Sequence, residues 1–249
     1  FSGRLRVTVV MSPSRSTRRC AFVMTTSVAS RYRRVMASNS YPAQRERAAL
    51  CDLFIEVGPD APTLSGEWTT RDLAAHLVVR ERRPDAAVGI LVSKAAGYTE
   101  KVQSGVAAGD WDELVETVRS GPPIWSPTKI EAVDKAANTV EFFVHHEDVR
   151  RATEGWEPRG LDDDLTEALY PMLGKMGKRL VSSSPVGIVV EPSDDHEPIV
   201  LKDAEPSVTV RGPVGELILF VFGRQAHSAV EVFGDDASVA TVNAAQFGI

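Results

Sequence analysis

Cysteine is nearly absent from this chain, with Cys20 and Cys51 the two among 249 residues. One cysteine in the body of the sequence leaves no partner for an internal disulfide and too few thiolates for a cysteine-ligated zinc site. Cys51 follows Ala48 and precedes Phe54 at helical spacing, which predicts a buried core thiol rather than a nucleophile. A body without disulfides is expected to reside in the cytoplasm. Long apolar runs are also missing. Segments such as Leu217–Phe222 are far too short to span a bilayer, so no membrane partner is expected.

A third absence is local. Residues 1–36 hold eight arginines and no Asp, Glu or Lys, so the remainder carries 20 basic and 34 acidic residues. A body that acidic is a poor binder of nucleic acid, which is recognised through basic surface that displaces counterions. Residues 1–36 are rich in Arg, Ser and Thr and show no helical periodicity. They superficially resemble a targeting segment, but the apolar stretch after Arg18-Arg19 is too short for a twin-arginine signal. They read as a disordered or non-native extension, with Met36 as the expected start of the folded protein.

Hydrophobic residues make up 43% of the chain, enough for a sizeable core. Pro42 suits a first helical turn and Gly58-Pro59 a stop, which predicts a helix over 42–57. Thr69-x-x-Asp72 resembles a capping box and starts a second helix running to Arg83-Pro84. Weaker helical patterns cover 85–92 and 98–107. Helices are also expected over 110–119, before Gly121-Pro122-Pro123, and over about 132–153. Short connections between amphipathic helices argue for an antiparallel bundle.

Beyond Pro158 the pattern changes. One more helix, 162–180, precedes strands at 186–190, 199–202 and 208–211. An apolar helix at 213–222, a strand at 229–233 and a terminal helix at 237–247 complete the chain. The expected architecture is α+β in two domains: a four-helix bundle over 37–157 and a small α+β module over 158–249.

Glu141 and His145 stand four residues apart in a helical segment, so both side chains leave one face. A carboxylate and an imidazole placed that way can grip one divalent cation if a third ligand arrives from elsewhere, and His76 is the candidate. Two histidines and a carboxylate would leave coordination positions open, as a reactive site requires. Each residue also has a plainer reading. Asn138-x-x-Glu141 matches a capping box, and His76 on an apolar face could be a hydrogen-bonded core histidine. His145-His146 could be one buried and one surface residue. Against these, Glu141 lies among Val140, Phe142, Val144 and Val149, where a carboxylate without a partner would be costly to bury.

Three stretches carry a resemblance. Trp68-Thr-Thr-Arg-Asp-Leu-Ala-Ala-His76-Leu, the segment from Glu141-Phe-Phe-Val-His145 through Asp148 to Ala152, and Gly212–Arg224 with Val230–Asp235 resemble the mycothiol-dependent maleylpyruvate isomerase family. That family belongs to the DinB-like metal-binding proteins. The resemblance spans about residues 40–247. It implies a DinB-like bundle followed by a sterol-carrier-like domain, and it places three metal ligands on His76, Glu141 and His145. A divalent metal, Zn²⁺ in first place, and the thiol mycothiol would then act together on a small electrophile. In the isomerase reaction, thiolate attack on a cis double bond would permit rotation before the thiol is expelled.

Arg224 matches the family's Gly-Arg and could reach an anionic carboxylate with paired donors, or it could be a helix-terminal surface residue. Asp148 is expected to hydrogen-bond a ligand from outside the coordination sphere. His146, turned about 100° from His145, is expected at the surface or in that same outer role. Arg150 and Arg151 oppose the helix dipole, which accounts for them without a function. His196 and His227 are not expected to be ligands. Two further readings stay open: a metal-binding protein without catalysis, and a non-haem iron oxygenase.

Overall fold

Capping residues set the helices that carry the site. The structure is a computed structural model and describes residues 40–86, 96–126 and 129–248. The expectations for residues 1–36, Met36, Cys20 and most of the 85–92 helix fall outside those residues. Helix α1 spans Pro42–Val57, with Pro in its first turn and Gly58 at φ 81° ending it. Helix α2 spans Thr70–Arg82 behind a complete capping box: Thr69 accepts from the Asp72 amide and Asp72 accepts from the Thr69 amide. Helices α3 (Ala96–Ala107) and α4 (Trp111–Ser120, capped by Asp110) follow, then the 20-residue α5 (Glu131–Arg150).

Because α5 begins at Glu131, Asn138 lies inside it and cannot cap it. Its amide instead donates to Glu81 and to Asp134, so the capping-box reading of Glu141 is wrong.

Helix α6 (Asp163–Leu180) leads into a four-stranded sheet of β1 (Gly187–Pro192), β2 (Ile199–Lys202), β3 (Ser207–Gly212) and β4 (Glu231–Phe233), in the order β2-β1-β3-β4. The central pair β1–β3 is parallel, with Ile188 opposite Val208 and Val190 opposite Val210. All four of those side chains are buried, as period-two alternation requires. Helix α7 (Val214–Val221) is buried along its whole length, and α8 (Asp236–Ala244) ends the regular structure. Two ends fall short of the sequence expectation. The Ala229 amide donates to Glu216 rather than to a strand, and Phe247 turns inward against Phe220, which stops α8 early.

Two apolar clusters share α5. Phe142 and Val149 pack with Leu50, Phe54, Leu73 and Val118 of α1, α2 and α4. Val140, Phe143 and Val144 join the cluster built on α6, α7 and the sheet. Residues from Tyr41 onward group as one compact unit. Cys51 is fully buried in the first cluster, and burial pushes its thiol pKa up to about 12. That agrees with a core role.

Charged side chains are buried around α5. His146 is buried, which excludes the surface from its two expected places, and its Nδ1 lies 3.0 Å from Glu46 on α1. Arg151 is 2% exposed, so opposing the helix dipole is not a sufficient account of it. It grips Glu216 of α7 through bonds of 2.8 and 2.7 Å and Glu147 at 2.6 Å. Arg159 joins Glu147 to Glu46. Buried charge of this kind survives only when nearly every donor and acceptor is met.

Candidate metal centre

Helices α2 and α5 bring His76, Glu141 and His145 together. One ligand atom from each lies within 4.8 Å of the others. Glu141 Oε1 stands at the centre, 3.4 Å from His76 Nε2 and 3.3 Å from His145 Nε2. The two imidazole rings meet edge to face at 5.4 Å, and Trp68 tilts over His76 at 5.1 Å. Trp68 thus lines the site as well as packing on the apolar cluster.

The far side of His145 is held. Its Nδ1 lies 3.0 Å from Asp148 Oδ2 and donates to it, which turns Nε2 toward Glu141 and His76; a cation bound there would take the place of the Nε2 proton. Asp148 is fully buried; burial alone would raise its pKa, but His145 and Arg224 outweigh that and hold it at about 2. Ser65 donates a further hydrogen bond to the same carboxylate at 2.9 Å. Burial would also keep His145 neutral, yet its bonds to Asp148 and Glu141 raise its pKa to about 9. Burial holds His76 below the ordinary histidine value.

Arg80, one turn after His76 on α2, is a site residue that sequence reasoning missed. Its Nε sits 3.2 Å from Glu141 Oε1, while Asn138 and the Ala137 carbonyl anchor its other nitrogens. Arg80 and the two histidines overcome burial and keep Glu141 ionised, well below the ordinary carboxylate value. The partner that a buried Glu141 requires is thus present in the chain itself, so its burial alone does not call for a cation. What does fit a divalent cation is the donor set: two imidazole nitrogens and a carboxylate oxygen converging on one point.

That point lies on the wall of a cavity of about 910 Å³, lined by residues of α2, α3 and α5, the 64–68 loop, Phe222 and Arg224. Arg224 follows Gly223, whose φ of 85° and close approach to the Phe247 carbonyl leave no room for a Cβ. The turn sends the guanidinium back onto Asp148, so Arg224 is not a free surface residue. His196 packs on Tyr170 beside Glu167, and His227 on Trp156; neither belongs to the cluster.

No family model matches the sequence, and no curated protein matches it. A solved structure does. The crystal structure of the mycothiol-dependent maleylpyruvate isomerase superposes with a TM-score of 0.53 at 12% identity, covering 78% of this chain and 91% of that one. The likeness is one of fold. It agrees with the α+β architecture, while the His/Glu/His cluster rests on the geometry of the described residues. None of the described helices is long and apolar enough to cross a membrane.

Proposed function

We propose that the protein is a cytoplasmic, divalent-metal-binding enzyme that uses a small-molecule thiol, with activity as an isomerase or thiol transferase on a small electrophile. The observation that carries this reading is the meeting of His76, Glu141 and His145 on the wall of a large cavity. The fold neighbour's dependence on mycothiol supports a thiol as the co-substrate and an enzyme rather than a passive binder. Within this reading, residues 37–157 form the metal-binding part and 158–249 a sterol-carrier-like part that closes the cavity with Phe222 and Arg224.

A Zn²⁺ bound there would lower the pKa of a coordinated thiol and polarise a neighbouring carbonyl. The chain's own groups prepare the site. His76 and His145 present Nε2, and Asp148 fixes the tautomer and ring plane of His145. Arg80 holds the Glu141 carboxylate in place. Arg224 fixes Asp148, so a residue from the second part sets the orientation of a ligand in the first. Trp68, Val144 and Phe222 give the cavity an apolar side that limits water.

Incubating the purified protein with mycothiol and a panel of electrophiles, and following thiol loss, tests the reading. Thiol consumption that stops on metal chelation and in His145→Ala supports it. Metal uptake without thiol consumption would instead make the protein a binder, and oxygen uptake with ferrous iron would make it an oxygenase.

A further inference from the structure

The charges at the cavity are unequally partnered. Beside the His/Glu cluster, Arg80 stands against Glu141, and Arg224 against Asp148. Glu67, Asp72 and Glu100 also line the cavity, and none of them forms an ion pair among the described residues. Glu67 and Glu100 are exposed; Asp72 is half-buried and receives hydrogen bonds from Thr69.

Among the described residues, Arg224 is the one Lys or Arg on the cavity lining, and its hydrogen-bonding capacity is largely committed. Nε and Nη2 bond Asp148, Nη2 also approaches Ser65, and Nη1 bonds the Phe222 carbonyl. One of the five guanidinium N–H groups is left over, which cannot make the paired grip that a carboxylate takes from arginine. A ligand with an anionic tail would therefore meet three carboxylates and no available guanidinium fork.

We infer that the cavity selects ligands whose far end is neutral or cationic and excludes dicarboxylates, with Glu67, Asp72 and Glu100 as the specificity-determining residues. The inference rests on the metal-and-thiol reading and narrows its substrate class. It separates this chain from its fold neighbour, since maleylpyruvate is itself a dicarboxylate. These three carboxylates act through space, so their effect is Coulombic and weakens with added salt.

The test uses cobalt-loaded protein, whose visible spectrum reports thiolate at the metal. Three thiols of matched length differ only at the far end: aminohexanethiol, mercaptohexanol and mercaptohexanoic acid. The amine and the alcohol should bind about tenfold or more tightly than the acid at low salt, a gap of the size a few partly screened charges produce. In the double variant Glu67→Gln/Glu100→Gln, at two exposed positions outside the His/Glu cluster, that gap should narrow. Equal or tighter binding of the acid, or a gap unchanged in the double variant, overturns the selectivity while leaving the metal and thiol reading intact. Failure to take up cobalt, or a cobalt spectrum that no thiol alters, overturns that reading and the inference with it.

Discussion

Arg224 grips the Asp148 carboxylate with two hydrogen bonds of 2.8 and 2.7 Å, joining the turn after α7 to the helix that carries Glu141 and His145. The same carboxylate receives His145 Nδ1, so the geometry of one imidazole depends on a residue 79 positions further along the chain. Asp148→Asn removes the charge and frees the imidazole to take either tautomer. Metal affinity, measured by competition with a chromophoric chelator, should fall roughly 10- to 100-fold. Arg224→Ala should produce a smaller fall in the same direction, since Ser65 still donates to Asp148.

Arg151 and Glu216 make a second link between the two apolar clusters, this one buried and paired on both sides. Glu216→Gln keeps the shape but leaves Arg151 with a weaker partner, while Glu216→Ala leaves much of the guanidinium charge unmet. Urea unfolding should show Glu216→Ala less stable by about 3 kcal/mol and Glu216→Gln by clearly less. Equal losses in the two variants would mean that packing, not charge, holds this contact.

Acid should loosen the contact of α1 with α5. Burial alone would raise the Glu46 pKa, but His146 and Arg159 outweigh it and hold the carboxyl below its ordinary value. A group depressed in the folded state contributes its stability above the unfolded value and loses it as pH falls through the folded one. The urea midpoint should therefore drop as pH falls below the ordinary glutamate range. Glu46→Gln should be less stable near neutrality and show a shallower decline in acid.

Cys51 should resist iodoacetamide in the native protein. Its thiol is buried and hydrogen-bonds the Val115 carbonyl at 3.8 Å, with a pKa pushed up to about 12. Peptide mapping should find Cys51 alkylated only after denaturation. Rapid native labelling would reopen a nucleophilic role.

The helices were legible because their signals are local. Pro42, the Thr69/Asp72 box and Asp110 each act within one turn, and each marks a helix start in the structure. The one-face placement of Glu141 and His145 also follows from spacing within α5. The approach of His76 is a tertiary distance, and spacing alone left it open; the family resemblance suggested the three together. Residues whose partners lie far along the chain were misread. Arg151 near a helix end looked like a dipole complement, yet its main partner is Glu216 on another helix. The surface stayed open for His146 because Glu46, 100 residues earlier, is invisible to a helical wheel. Asn138 imitated a cap only through its spacing to Glu141; the helix expected over about 132–153 already placed it in an interior, as the structure does. Arg80 carried no local signal, because its pairing with Glu141 depends on how α2 meets α5.

The most direct measurement is the metal content of the purified protein set beside that of His145→Ala and Glu141→Gln. If His76, Glu141 and His145 hold one divalent ion, the wild type should carry about one equivalent of zinc or a similar metal and both variants close to none. Far less than one equivalent in wild-type protein supplied with metal, or equal content in all three, would contradict the account.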